Sequence, residues 1–155
     1  MILAVLAVVE QVAVVAVVVH KVMLVEKLNQ KQIKQLHSLY LKEWWCKDRT
    51  LTQTQKVVEN SSLIFGITDK DDNLIAFSRV LSDFTFKAFI FDVIVAKEHR
   101  GEGLSDKLLS TILNHSKLKN IETIELYCLP EMKPLYTKYG FKEVDGLCFL
   151  TRIMH

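Results

Sequence analysis

A nine-residue apolar run, AFIFDVIVA (residues 88–96), passes directly into KEHRGEGLSDKLL, where two of the chain's five glycines fall within four positions. A run rich in Phe, Ile and Val suits a strand, while Leu104, Leu108, Leu109, Ile112 and Leu113 fall on one helical face. Strand, polar turn and helix are therefore expected in succession. With the strand ending at Ala96 and the helix starting near Gly103, several backbone N–H groups lack an intrahelical partner, and the helix dipole favours negative charge beside them. Gly101 and Gly103 carry no Cβ, so a bulky pyrophosphate can approach the main chain, and Arg100 adds a charged donor. An ordinary strand-to-helix turn that merely needs glycine is the competing reading, since short glycine motifs recur by accident.

The remaining chain alternates elements. MLVEKL suits a first strand. Asn29 caps a helix whose apolar positions Ile33, Leu36, Tyr40 and Trp44 keep helical spacing and which ends around Cys46. A second helix over KDRTLTQTQKVVENS starts from Thr50 or Thr52. SLIFGIT and LIAFSRVL flank the polar turn DKDDN as a hairpin, and FKAFIFDVIVA is the next strand. After the glycine-led helix come a strand over IETIELYCL, a short helix over EMKPLYTKYG interrupted by Pro134, and a closing strand over LCFLTRI. This order predicts an α/β (α+β) domain with helices covering a central sheet.

At 155 residues, half of them hydrophobic, the chain supports one well-packed core, placed at residues 23–155. The first 22 residues, almost pure Ala, Val, Leu and Ile around Glu10 and Gln11, read as an added or mis-started leader. A packed element and a membrane anchor are the alternatives, but the apolar run is interrupted before it reaches the roughly 18 residues of a span. The net charge is +2 and the lysines are scattered, so neither a nucleic-acid nor a membrane partner is expected. Cys46, Cys128 and Cys148 are odd in number and far apart, against a disulfide framework or zinc site and in favour of a reducing, cytoplasmic setting. His37 and His115 lack metal-ligand spacing, and no metal is expected.

RGEGLS, preceded by FDVIVAKEH and followed by an amphipathic helix, resembles the acyl-CoA loop of the GNAT superfamily of N-acetyltransferases, written R or Q, x, x, G, x, then G or A. Ser105 stands in the last, small position. PLYTKYGF resembles the superfamily's second hallmark, a Tyr followed three or four residues later by Gly-Phe. EWWCKDRT, FSRVLSDF, FDVIV and ELYCLPEMKPLY together look like a bacterial GNAT subgroup, and the resemblance spans about Met23 to Arg152.

The resemblance implies a GNAT fold: a mixed, mostly antiparallel central sheet with two strands splayed apart, helices on both faces, and frequent pairing into homodimers. It implies acetyl-CoA as cosubstrate, its diphosphate on the amides of Arg100, Gly101, Gly103, Leu104 and Ser105. The pantetheine arm runs beside Val93, Ile94 and Val95, with residues 125–128 as the groove's second edge. A backbone N–H near Val95 polarises the thioester carbonyl, and a primary amine of a small molecule or peptide attacks it directly. Tyr136 occupies the motif tyrosine and is the candidate acid for the departing thiolate. Asp92 is a candidate to orient the amine or take its proton, with a structural hydrogen-bonding role as the alternative. Asp83 is a candidate to bind a cationic amine, and Trp44, Trp45 and Arg49 to line the acceptor pocket. A catalytically idle acyl-CoA sensing module is the other functional class.

Overall fold

The computed structural model describes residues 22–154; the leader expected over residues 1–22 lies, apart from Val22, outside the described residues. Val22 itself packs against the core. The strands are β1 (Met23–Val25), β2 (Leu63–Thr68), β3 (Leu74–Ser82), β4 (Lys87–Val95) and β5 (Thr123–Glu125). The helices are α1 (Gln30–Tyr40), α2 (Leu51–Glu59), α3 (Leu104–Leu113) and α4 (Lys133–Thr137), with 3-10 turns at Lys97–His99 and Pro130–Met132.

Local chemistry fixes the helix starts. Asn29 accepts the Gln32 N–H while the Gln32 side chain accepts the Asn29 N–H, both at 2.9 Å. Thr50 and Gln53 repeat the exchange at the start of α2. Each reciprocal cap satisfies two amides that a helix end leaves open and stabilises it by about 1 kcal/mol.

The five strands lie in the order β1-β2-β3-β4-β5. The first four are successive antiparallel neighbours, and β5 returns parallel to β4 after α3. Cross-strand partners share a face, so Phe77, Arg79 and Phe91 lie on one side and Phe65, Val80 and Ile90 on the other. Tyr40 of α1 packs edge-on against Phe77. His115, just past α3, packs edge-on against Phe65. Helices thus cover both faces. From α3, Leu108, Leu109 and Ile112 are fully buried beneath the sheet, each worth roughly 1.5–3 kcal/mol of burial.

Two features of β4 shape the surface around its far end. Its ladder with β5 covers only Lys87–Thr123, Ala88–Ile124 and Phe89–Glu125. Residues 90–95 therefore continue without a partner on that side, and the two strands splay. Between Phe77 and Arg79 the register with β3 slips by one residue, a bulge at which Asp92 takes a left-handed backbone, φ 55°.

Three expectations change. The first helix stops at Tyr40, and tight i to i−3 bonds from Lys42, Glu43 and Cys46 carry the chain through turns, with the Cys46 thiol donating back to the Tyr40 carbonyl. The strand expected over IETIELYCL is three residues long, because 126–129 leave the ladder before Pro130. LCFLTRI forms no strand: β5 ends at Glu125 and offers no edge for it. Apolar alternation specifies a strand only where a partner edge exists. Leu147, Leu150 and Ile153 are instead exposed, and Phe149 meets the Tyr127 ring at 5.1 Å.

Candidate active site

The turn after β4 leaves its main chain bare. The His99 N–H donates to the Ala96 carbonyl and that of Arg100 to Lys97, but the amides of residues 101–106 donate to no acceptor among the described residues. The backbone is left-handed at Gly101 and Gly103, φ 85° and 76°, and nothing lies within 4 Å of where a Cβ would stand at either. Open space over unpaired donors at the start of a ten-residue helix is the geometry an anion takes. Asp106, in the first turn, does not oppose one. Lys138 at 2.5 Å and the Tyr139 hydroxyl at 2.7 Å engage its carboxylate and hold it below the usual carboxylate range.

Arg100 differs from expectation. Its amide is spent in the 3-10 turn, at 3.4 Å from the Lys97 carbonyl, leaving its side chain as the available group. That side chain lies across the splay: Nε donates to the Val95 carbonyl at 3.2 Å and Nη2 to Glu43 at 2.6 Å. The Ala96 N–H bonds to Ile75 on β3, so strand alternation turns the Val95 N–H and carbonyl the other way, into the gap beyond β4. Val93 and Val95 are half-buried there, while Ile94 is buried opposite Phe77.

On the α1 face the side chains are saturated. The Asp92 carboxylate, 4% exposed, accepts from the Tyr40 hydroxyl at 2.8 Å, from Arg79 Nε at 2.6 Å and from Arg49 Nη1 at 3.2 Å. Burial, reinforced by the Asp92 charge, pushes the Tyr40 phenol far up and keeps it neutral. Burial opposes the charge of Arg49, yet Asp92 outweighs it and raises the guanidinium above its ordinary value. Arg49 also stacks over Tyr40 at 4.4 Å and Trp45 at 5.3 Å, and Arg79 over Phe91 at 4.6 Å. An open depression of about 450 Å³ adjoins the cluster, lined by Trp44, Trp45, Asp48, Arg49 and Gln53.

Tyr136 of α4 is 8% exposed, and its hydroxyl has no hydrogen-bond partner among the described residues. Burial first, then neighbouring Cys128, pushes its phenol up to about 12. Just past this helix, Tyr139 donates its hydroxyl to Asp106 of α3 and its N–H to the Tyr136 carbonyl, tying the end of α4 to α3.

The model of the Acetyltransferase (GNAT) family matches residues 29–141, most of the chain and all of its strands and turns described above except β1. The chain belongs to this family. Among relatives, it is 33% identical over 107 residues to the uncharacterized N-acetyltransferase ycf52 of Pyropia yezoensis, an alignment covering 66% of this chain and 61% of that protein. The chain thus spans about three-fifths of the length of that relative. Its fold overlays a putative GNAT acetyltransferase of Xanthomonas campestris pv. campestris with TM-score 0.74 at 29% identity, covering 85% of this chain and 94% of the other. A predicted acetyltransferase of Clostridium acetobutylicum, solved with acetyl-CoA, shares the fold at TM-score 0.64 and 21% identity over 84% of this chain and 96% of its own.

In this GNAT chain the residues expected at the site are only partly brought together. Arg100, Gly101, Gly103, Leu104, Ser105 and Val95 surround the bare turn, while Asp92, Arg49 and Trp45 form the neighbouring cluster. Asp83 stands apart, at the opposite end of β4, roughly 25 Å away at strand rise. Its carboxylate accepts the amides of Lys87, Thr85 and Phe86, which hold it below the usual range and tie the β3–β4 turn. Three contributors escaped the sequence reading: Tyr40, Arg79 and Glu43. Arg79 carried a usable signal, since a guanidinium inside the apolar strand LIAFSRVL demands a buried carboxylate. Tyr40 and Glu43 carried none. Among the described residues, no helix is long and apolar enough to cross a membrane. No group of three or more His, Cys, Asp or Glu among them is placed to hold a metal ion.

Proposed function

We propose that this domain moves an acetyl group from acetyl-CoA to a primary amine of a small molecule or peptide, by direct attack within a ternary complex. The observation that carries this reading is the row of unpaired amides over residues 101–106, opening beside the β4–β5 splay. Acetyl-CoA supplies the acyl group as a thioester with a thiol as leaving group. Gly101 through Ser105 hold the diphosphate with main-chain N–H groups, and the Val95 N–H, turned into the gap, is the donor for the carbonyl oxygen. Trp44, Trp45 and Arg49 wall the acceptor side. Asp92 is already filled by three donors, which supports a holding role over proton abstraction: it fixes Arg49 and Arg79 in place. Three free thiols fit a reducing compartment.

Tyr136 keeps its proton at any working pH, so it is always ready to donate. A phenol pushed to about 12 is nevertheless a weaker acid than a thiol of pKa about 8.5. Transfer to the leaving sulfur therefore runs only with prompt return of a proton from the attacking nitrogen. One observation favours an idle acyl-CoA sensor instead, namely that the carboxylate on β4 is consumed by two arginines. Calorimetric titration with CoA, followed by thiol release from acetyl-CoA over a panel of primary amines, tests both readings. Heat of binding with thiol release on one or more amines is expected. Binding without turnover on any amine leaves the sensor, and no binding removes both.

A further inference from the structure

With Asp92 saturated, the attacking amine needs another proton acceptor, and one carboxylate stands at the mouth of the splay. Glu43 lies in the tight turns after α1, directly before Trp44 and Trp45, with its side chain 21% exposed. Its Oε1 is 2.6 Å from Arg100 Nη2, and Nε of the same guanidinium is 3.2 Å from the Val95 carbonyl. One planar group therefore spans from Glu43 to the peptide that faces the gap. Of the other charges nearby, Lys42 reaches Glu98 at 4.0 Å, His99 pairs with Glu102 at 3.3 Å and Arg49 is pinned to Asp92; the exposed Asp48 lines the depression away from Arg100, and the buried Cys46 thiol donates to the Tyr40 carbonyl. Among the described residues Arg100 is the one cation within ion-pair distance of Glu43.

We infer that Glu43 accepts the proton of the attacking amine, and that Arg100 is its counter-ion only until the coenzyme's diphosphate draws the guanidinium away. The inference rests on the acetyl-CoA reading above. A diphosphate carries more charge than a carboxylate and offers bidentate oxygens to the fork of an arginine, so it wins the exchange at the start of α3. The carboxylate, one residue before Trp44 and joined through Arg100 to the Val95 carbonyl, is then uncovered beside the splay, and only once the donor is loaded. The acceptor's ammonium gives one proton to Glu43. The neutral nitrogen then forms the C–N bond as the C–S bond breaks, and the sulfur leaves with the Tyr136 proton. The second nitrogen proton restores Tyr136, and Glu43 releases its own to solvent.

Glu43→Gln and Glu43→Asp test this, read by calorimetry with CoA and by the pH dependence of kcat/KM for the fastest amine of the thiol-release panel. Removing the charge that competes for Arg100 should tighten CoA several-fold in Glu43→Gln. The same variant should lower kcat/KM by a factor of about 100 or more and move its acidic limb up towards the pKa of the free amine, because only the unprotonated acceptor can then react, while Glu43→Asp keeps the wild-type limb at an intermediate rate. Tighter CoA with the limb unmoved would make Glu43 a counter-ion alone and overturn the assignment; wild-type values of both would remove the residue from the site. Failure of the wild-type protein to bind CoA would instead overturn the acetyl-CoA reading beneath it.

Discussion

The cluster around Asp92 lies on β4 and the turn at residues 101–106 just beyond its end, yet they follow opposite rules. In the turn, main-chain donors have space above them and no partner. At Asp92, one carboxylate is filled by a phenol and two guanidiniums, and its neighbours stack on aromatic rings. Exposed donors at a helix start are left to water, and an anion that arrives can take its place. A filled, buried carboxylate holds the fold. The difference teaches that the two sites should fail in different ways, one by losing function with the fold intact, the other by unfolding.

Asp92→Ala should produce the largest loss of stability. It strands Arg49 and Arg79 together in a half-buried site, and breaking such a pairing costs about 3–5 kcal/mol, to be read as a lower denaturation midpoint. A midpoint near wild type would show that the cluster is not structural. Tyr136→Phe should do the reverse: turnover falls by a factor of about 100 or more, while CoA affinity and the melting temperature stay as they are. The hydroxyl has no partner to lose, so its removal leaves the fold nothing to miss. Unchanged turnover would take Tyr136 out of the reaction. Gly103→Val should weaken CoA roughly tenfold, because a branched side chain is strained by about 1–2 kcal/mol in the left-handed region and stands over the donors. Wild-type affinity would place the diphosphate elsewhere.

The smallest effect is expected at Asp83. Its folded-state pKa is depressed by the turn amides, so the stability it adds is fully present above the ordinary carboxylate range and is lost as pH falls through its folded value. Asp83→Asn should therefore lower the melting temperature slightly at neutral pH, with the gap to wild type closing in acid and acetyl transfer unaffected. Loss of activity in that variant would bring Asp83 back to the acceptor site.

Legibility in the sequence followed the same division. Main-chain features with a local cause could be read: the caps at Asn29 and Thr50, the β2–β3 hairpin, and a glycine-led turn whose only requirement is backbone freedom. Features that depend on distant partners could not. The Asp92 cluster joins residues 40, 49, 79 and 92 from two helix ends and two strands, and nothing local to Tyr40 announces a carboxylate 52 residues away. The apparent strand LCFLTRI failed for a related reason, since its alternation was genuine but the neighbouring edge was already over. The splay itself comes from where a ladder stops, which is a property of two segments rather than either one.

The left-handed backbone at Asp92 has one more consequence. A position that must tolerate positive φ and also supply a negative charge admits almost no substitute: asparagine and glycine keep the conformation but forfeit the charge, and glutamate keeps the charge at a conformational cost. Variation in the neighbouring depression is therefore left to the exposed tryptophans and Gln53, which can change without disturbing the glycine turn beyond β4.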